Sequence, residues 1–558
     1  MTPKTDPGTI GSSGQGLIVR PSFSRPTFSN GNFHDPGCVG AGAIVLICIL
    51  GIVIRLYACQ HTFIVNPDGV YYIHQARAIY YGEWDRLTTC SLGFLSNYPF
   101  FIAGAYALIH HWIDAARCVS LVFGSMTLIP LYLLCRRFFD RDISSVTTLL
   151  FAVIPVFVAG SADVVRGPVC WFFLTLGLYF FVRSDATNYR LLLLLSCLSF
   201  LMGSWARIES LLFVLVSSVY LLAVPQEKRI QKWVWFTLPL IVALFLVFSA
   251  ILFLDTPLEK TLRLKEVVQK LSAPIIAYEA LRAGLAQLMT QHLEGAMPHF
   301  LHKTRHLVWL VALGTVVKYM IRAYFYLFFI ILLLGLGGLW QEMKADRRIF
   351  YLSLAALSAF VLLYLHVLQM WMMFDRFWGI FMLPACVLIG FGLQKTLFLM
   401  TTRYRVTHLT ALSIVCLLIL ACSLPKDLKF KEADKIVYKE IGEMIAHREG
   451  NAREIKIVKS LRTPNWTPFY ANLNYEGAPC PKTDFGIESS QFDETVFKDY
   501  EGFVGYLKKN NVTYFLWEEG AWPKNGFDFL ITKDPQDFME IGVWRHPDTG
   551  RMILFKVS

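Results

Sequence analysis

Residues 233–254 read WVWFTLPLIVALFLVFSAILFL, without a single charged side chain. As a helix the run is about 33 Å long, enough to cross a hydrocarbon core of about 30 Å. It is apolar on every side, so it offers no face to water and reads as a membrane span. Working outward, similar runs occur at 41–58, 99–134, 144–160, 168–182, 190–205, 208–224, 320–340, 350–369, 377–398 and 406–424. That makes about eleven spans. The run at 99–134 is too long for one straight helix, so its start is expected along the interface. The composition agrees: 55% of the 558 residues are hydrophobic and only 17% are charged, against about 25% charged in soluble domains.

The loops set an expected orientation. One alternate set holds Arg136, Arg137 and Arg141; Arg183 and Arg190; Lys228, Arg229 and Lys232; Lys344, Arg347 and Arg348; and Lys395, Arg403 and Arg405. This basic surplus marks the cytoplasmic side and places the N-terminus inside. Two long outer loops follow, 59–98 and 255–319. The first reads as short amphipathic helices, with Ile73, Ala76, Ile79 and Tyr80 at helical spacing; the second is expected to lie on the membrane surface.

Residues 1–40 are rich in Gly, Ser, Pro and Thr and read as a disordered cytoplasmic tail. They show no cleavable secretory pattern. From residue 425 the composition changes. DKIVYKEIGEMIAH (434–447) reads as an amphipathic helix; EIKIVKS (454–460), TYFLWEE (513–519), EIGVWRH (540–546) and RMILFKV (551–557) read as strands. The expected fold is therefore a polytopic α-helical membrane domain over 41–424 with an extracytoplasmic α/β domain over 425–558.

The net charge of +11 falls in short loops and does not form the stripe that tracks a nucleic-acid backbone. Most of the twelve cysteines lie in apolar runs, where a thiol acts as a small hydrophobe. Cys59 and Cys90 flank one outer loop and can pair; Cys480 is alone in the C-terminal domain. No HExxH, CxxC, Walker loop or GxGxxG occurs, which argues against metalloprotease, redox and nucleotide-driven chemistry.

Ionisable residues near membrane depth are costly, and each is a candidate functional group. Asp68 lies in NPDGVYYIHQARAIYYGEW (66–84), directly after the first span. A carboxylate there can act as a general base on a hydroxyl or cap a helix starting near Val70. Asp163, in GSADVVRGPVCWFF, ends the third span with Arg166 close by, as an interfacial ion pair or a functional group. Glu83, Asp85 and Arg86 read as solvated. Arg207 and Glu209 mark either a helix connection or a substrate contact. Arg376 can pair with Asp375, snorkel to head groups or bind a phosphate, and the same options apply to Lys318 and Arg322.

Taken together, these stretches resemble the polyprenyl-phosphate-dependent glycosyltransferases of the GT-C superfamily. They are most similar to glycosyltransferase family 39, which includes protein mannosyltransferases and aminoarabinose transferases. NPDGVYYIHQARAIYYGEW looks like the first-loop motif with its catalytic aspartate. NYPFFIAGAYALI with AARCVSLVFGSMTLIPLYLLCRRFF is similar to the second span. WARIESLLF matches an Arg-x-Glu connection, and DRFWGIFMLPACVLIGFGL a late Arg-aromatic segment. SLRTPNWTPFYANLNY and YLKKNNVTYFLWE look like the extracytoplasmic domain of bacterial members. The chain departs from the family in having Gly69 after Asp68, and in placing Asp163 about a turn before the usual second acidic residue.

The resemblance implies inverting transfer of a sugar from a polyprenyl-phosphate donor to a hydroxyl acceptor, a glycolipid, lipopolysaccharide or protein, on the outer face of the cell (plasma) membrane. It implies Asp68 as base, with Asp163 as the second carboxylate. Arg376, Arg207, Arg322 and Lys303 are the expected phosphate-binding cations. Tyr71, Tyr72, Trp84 and Glu209 are the expected sugar or acceptor contacts, the aromatic ones serving equally as an interfacial belt. No metal or other cofactor is expected. The competing class is a lipid or glycan transporter or flippase without transferase activity. It calls for ionisable residues at mid-membrane and broken helices in two related halves, a pattern the sequence does not show. A non-catalytic assembly protein built on the C-terminal domain leaves Asp68 without a role.

Overall fold

The computed structural model describes residues 38–90, 92–185, 188–254, 264–289, 295–460, 465–480, 499–523 and 526–558. The tail read over 1–40 lies outside these residues up to position 37; the first helix, Cys38–Gln60, starts in its last three.

The protein is a polytopic helical membrane protein. Among the described residues seven helices are long and apolar enough to cross a membrane, and three bent helix pairs bring the number to ten. Shorter apolar helices occupy Tyr98–Ile109, Gly167–Arg183 and Ile208–Ala223. The bends have local causes. Arg141–Val153 turns by 51° into Pro155–Ala162, where Pro155 cannot donate to the helix ladder. Asp375–Met382 turns by 79° into Cys386–Arg403 across Pro384, so the reading of 377–398 as one span is corrected to a broken one. The long run at 99–134 is split at His110, which adopts the left-handed conformation.

The region between the seventh and eighth expected spans also differs from its reading. It forms two long helices, Leu264–Leu288 and Met297–Ala323, which pack on each other and on Arg347–Met370. Met297–Ala323 is itself long and apolar enough to cross a membrane. The expected span at 320–340 therefore straddles a helix end, with Phe325 and Tyr326 at positive φ. The missed helix carries Lys303, Arg305, Lys318 and Arg322, and these interrupted its apolar run in the sequence.

The C-terminal part forms a four-stranded sheet: β1 (Ile457–Lys459), β2 (Tyr514–Glu518), β3 (Phe538–His546) and β4 (Gly550–Val557). Its order is β1-β2-β4-β3, with β1 parallel to β2 and the other pairs antiparallel. β2 is buried at every position because helices cover both faces. On one face lie Phe503, Phe515, Phe529 and Phe555. On the other, Leu516 and Leu554 join Tyr438 and Trp466 in a core that continues into Ile73, Ile102 and Val164. One apolar core thus runs from the sheet into the end of the helical part that carries Ile73, Ile102 and Val164.

The helix Pro67–Tyr81 sits in that junction. It was expected to be amphipathic, but nine of its residues from Gly69 to Ala78 are buried. Its buried Arg77 donates to the Gly477, Asn472 and Tyr475 carbonyls. Glu83 and Arg86, expected to be solvated, bond each other at 3.1 Å and hold the Ala478 N–H and C=O. Cys90 is bonded to Cys480, 390 positions away, and Cys59 is a free thiol. The Cys59–Cys90 pairing is therefore corrected: Cys59 packs on the membrane core while Cys90 faces the C-terminal domain.

Candidate active site

Helix Pro67–Tyr81 begins with an Asn-Pro pair. Asn66 is the N-cap, its side chain accepting the Asp68 N–H at 3.1 Å, and Pro67 fills the first turn. The capping role considered for Asp68 is thus taken by Asn66. That assignment was legible, since Asn followed by Pro is a strong helix-start signal. Asp68 is left in the first turn with its carboxylate free to act elsewhere.

That carboxylate meets Arg376, whose Nη2 donates to Asp68 Oδ2 at 2.6 Å across 308 residues. The Asp68 side chain is 43% exposed and that of Arg376 19%. Arg376 belongs to the short 3₁₀ turn Asp375–Trp378, which runs on into Gly379–Met382 ahead of the break at Pro384. Asp375, the partner considered for Arg376, instead accepts two bonds from Arg322, at 2.8 and 2.6 Å. Arg207 is buried and pairs with Glu209 at 3.3 Å. Its Cζ lies 4.3 Å from the centre of the Phe377 ring, and the Cζ of Arg376 lies 5.8 Å from the same ring. Nε of Arg207 has no hydrogen-bond partner among the described residues.

Asp163 is the neighbouring carboxylate. Its Oδ1 accepts the backbone N–H groups of Val164 at 2.7 Å and Asn66 at 3.2 Å. Burial holds its carboxyl above the usual range, against the opposing effect of those bonds and of Arg376 and Arg117. Arg166 makes no ion pair with it; its guanidinium lies over Phe94 and Tyr72, at 4.6 and 6.0 Å.

The structure therefore gathers Asp68, Arg376, Arg207, Glu209 and Arg322 around one short turn, with Asp163 tied to Asp68 through Asn66. Other expected members fall away. Lys303 is exposed and lies nineteen residues before Arg322 on one helix, about 28 Å along its axis. Tyr72 is buried edge-on against Tyr98, so its ring has no face for a sugar. Trp84 is exposed, but beyond the far end of Pro67–Tyr81 from Asp68. Tyr71 stays near the site, its hydroxyl accepting from Asn465 at 3.3 Å.

Among the described residues one grouping has metal-ligand spacing: Asp434, His546 and Asp548, with ligand atoms within 4.8 Å of one another. It lies in the C-terminal domain. His546 Nδ1 accepts the backbone N–H groups of Asp548 and Thr549, at 3.1 and 3.4 Å. An accepting Nδ1 leaves the ring proton on Nε2, the form that does not ligate through that nitrogen.

Comparison with known proteins gives a consistent picture. A sequence-family model, described as dolichyl-phosphate-mannose-protein mannosyltransferase, matches residues 97–253. This segment contains Asp163, Arg207 and Glu209, but neither Asp68 nor Arg376. Among solved structures, ArnT from Cupriavidus metallidurans bound to undecaprenyl phosphate is similar at 13% identity, with a TM-score of 0.55 over 92% of this chain and 98% of that one. The Archaeoglobus fulgidus oligosaccharyltransferase tethered to an acceptor peptide gives 12% identity and 0.54, covering 87% and 69%. The archaeal oligosaccharyltransferase AglB from the same organism, in complex with an inhibitory peptide and a dolichol-phosphate, gives 12% and 0.50, covering 92% and 74%. A search of curated protein sequences finds no significant match. The chain has the fold of these solved proteins over most of its length, and the matched family model and the oligosaccharyltransferases carry the names of glycosyl-transfer enzymes.

Proposed function

We propose that this chain is an inverting glycosyltransferase that moves a sugar from a polyprenyl-phosphate donor to a hydroxyl acceptor. The observation that carries the reading is the Asp68–Arg376 pair at 2.6 Å, with Arg207 and Arg322 grouped on the same turn. Asp68 takes the acceptor O–H proton as the oxygen attacks C1 from the face opposite the phosphate. The new C–O bond forms as the C1–O bond to phosphate breaks, and the polyprenyl phosphate leaves with the bonding pair. Guanidinium groups, which hold phosphate oxygens in a fork, stabilise that charge.

Arg376 changes partner in this scheme, from the Asp68 carboxylate to the donor phosphate, and so frees the Asp68 lone pairs for the acceptor. Asp163 holds the turn through its bond from Asn66. Arg207 and Arg322 are further donor contacts; Glu209 orients Arg207, and Tyr71 lies on the acceptor side. The donor site is built from cations of the chain itself, so turnover should persist in chelator. The acceptor is a glycolipid, lipopolysaccharide or protein. Transfer takes place on the outer face of the plasma (inner) membrane. The N-terminal tail 1–40 is then cytoplasmic, 41–424 catalytic and 425–558 periplasmic, as the basic loops suggest.

The test is a transfer assay with purified protein and a polyprenyl-phosphate sugar, comparing wild type with Asp68→Asn. Asparagine keeps the shape but cannot take the proton. Wild-type turnover by a folded Asp68→Asn protein would sink the mechanism.

A further inference from the structure

Val65 comes one residue before the cap of the catalytic helix and is completely buried. Its backbone polar groups need partners there, because a buried N–H or C=O left without one keeps the full cost of losing its water. Neither partner comes from the helical membrane part. The Val65 N–H donates to the Tyr470 hydroxyl at 3.1 Å, and the Val65 carbonyl accepts the Trp466 indole N–H at 2.7 Å. Both side chains belong to one short helix of the C-terminal domain, Trp466–Ala471, and are themselves buried at 4% and 1% exposure.

The next residue continues the chain of constraint. The Asn66 N–H goes to Asp163, its carbonyl accepts from Gly69 at 2.8 Å, and its side chain takes the Asp68 N–H. Every backbone polar group of Val65 and Asn66 is thus engaged, two by the C-terminal domain and the rest by the loop at Asp163 and the helix start. A second strap lies just upstream, where the Phe63 N–H donates to the Lys431 carbonyl and the Lys431 N–H to that of His61.

We infer that Trp466 and Tyr470 are positioning residues for Asp68, and that the C-terminal domain forms the outer jaw of the active site. The inference rests on the glycosyltransferase reading for its consequence in turnover, but not for the clamp itself. Asp68 is held at Arg376 by its side chain and, through Val65 and Asn66, by a domain that begins more than 350 residues later in the chain. Loss of either bond loosens the turn without touching the donor's cations. Misplacing a catalytic group by about 1 Å can cost about 10²-fold in rate, and one lost clamp bond should account for part of that.

The variants are Trp466→Phe, Tyr470→Phe and their combination, made in the full chain. Tyr470→Phe removes one hydrogen bond and keeps the ring; Trp466→Phe removes the indole N–H and leaves a smaller aromatic ring in its place, so Tyr470→Phe is the cleaner of the two. Two measurements are made: steady-state transfer from a polyprenyl-phosphate sugar, and amide hydrogen exchange of the 65–70 segment followed by mass spectrometry. The expected result is a kcat about tenfold lower for each single variant and about 10²-fold lower for the double. The donor KM should stay within twofold, the thermal midpoint of Tyr470→Phe should fall by no more than a few degrees with kcat measured well below it, and exchange at 65–70 should be faster. Tyr514→Phe, which removes a hydroxyl bonded instead to Glu449, is the control and should change neither measurement. Unchanged exchange in the double variant would overturn the clamp. So would a kcat loss that only follows a fall in thermal midpoint. Wild-type protein inactive on every polyprenyl-phosphate sugar tried would count against the proposed function, and exchange at 65–70 would still decide the clamp.

Discussion

Asp68 and Asp163 are linked through a single residue, Asn66, yet their surroundings are opposite. Asp68 is partly open, and its side chain bonds the guanidinium of Arg376. Asp163 is more enclosed and spends one oxygen on two backbone N–H groups. A carboxylate held by fixed amides is part of the scaffold, since its bonds cannot be released without undoing the turn. A carboxylate held by one mobile side chain can exchange that partner for a substrate. In the proposed mechanism the two divide the work: Asp68 meets the reaction and Asp163 keeps it in place.

The largest effect that can break this comparison is at Asp68. Asp68→Asn should lower transfer by about 10²–10⁴, the contribution of a positioned general base, while the carrier polyprenyl phosphate binds more tightly because Arg376 has lost its competitor. Weaker carrier binding in that variant would show that Arg376 does not change partners. Arg376→Ala should cost about 10²–10³ in kcat, and Arg376→Lys should restore part of it, a point charge being a poor substitute for the fork. Full turnover in Arg376→Ala would shift the donor site to Arg207 and Arg322.

Asp163→Asn should be milder, about tenfold in kcat, because the amide oxygen can still accept from Asn66 and Val164. Its pH behaviour sharpens the contrast. Burial raises the carboxyl pKa of Asp163 in the folded protein, so the folded state binds this proton more tightly than the unfolded chain does. Stability from this group is then fully present below the ordinary carboxyl range and is lost as pH rises from there through the raised folded value. Thermal melting of Asp163→Asn against wild type should therefore shift in favour of the variant as pH rises above the ordinary carboxyl range. A difference that is flat with pH would contradict the raised pKa. The smallest effect on turnover is expected for the Cys90→Ser, Cys480→Ser pair. Breaking that link frees a loop of 390 residues, which should lower the thermal midpoint while kcat stays within twofold.

Much of the architecture can be read from residue order alone. The apolar run at 233–254 needs no tertiary information, because only a lipid environment tolerates a helix without a polar face. The alternation of TYFLWEE and RMILFKV likewise suffices for strands, which the structure pairs as β2 and β4. Helix Met297–Ala323 was obscured because four basic side chains dilute its hydropathy while its packing neighbours supply the burial. Pro67–Tyr81 looked amphipathic for a related reason: a buried Arg77 satisfied by backbone carbonyls is indistinguishable in sequence from a solvated one.

The site divides in the same way. Residue type and position near a membrane boundary were enough to select Asp68, Arg376, Arg207 and Arg322, since burying or half-burying a charge needs a reason. They could not decide who pairs with whom. Arg376 stands beside Asp375 in the chain but bonds Asp68, and Asp375 bonds Arg322. Adjacent side chains in a tight turn point apart, whereas helices that pack can bring together groups hundreds of residues away. The sequence by itself determined a membrane-embedded chain with charged groups at the ends of its helices. Only the tertiary structure decided that Trp466 and Tyr470 close over Val65, because hydrogen bonds to a buried backbone leave no pattern in the side chains that receive them.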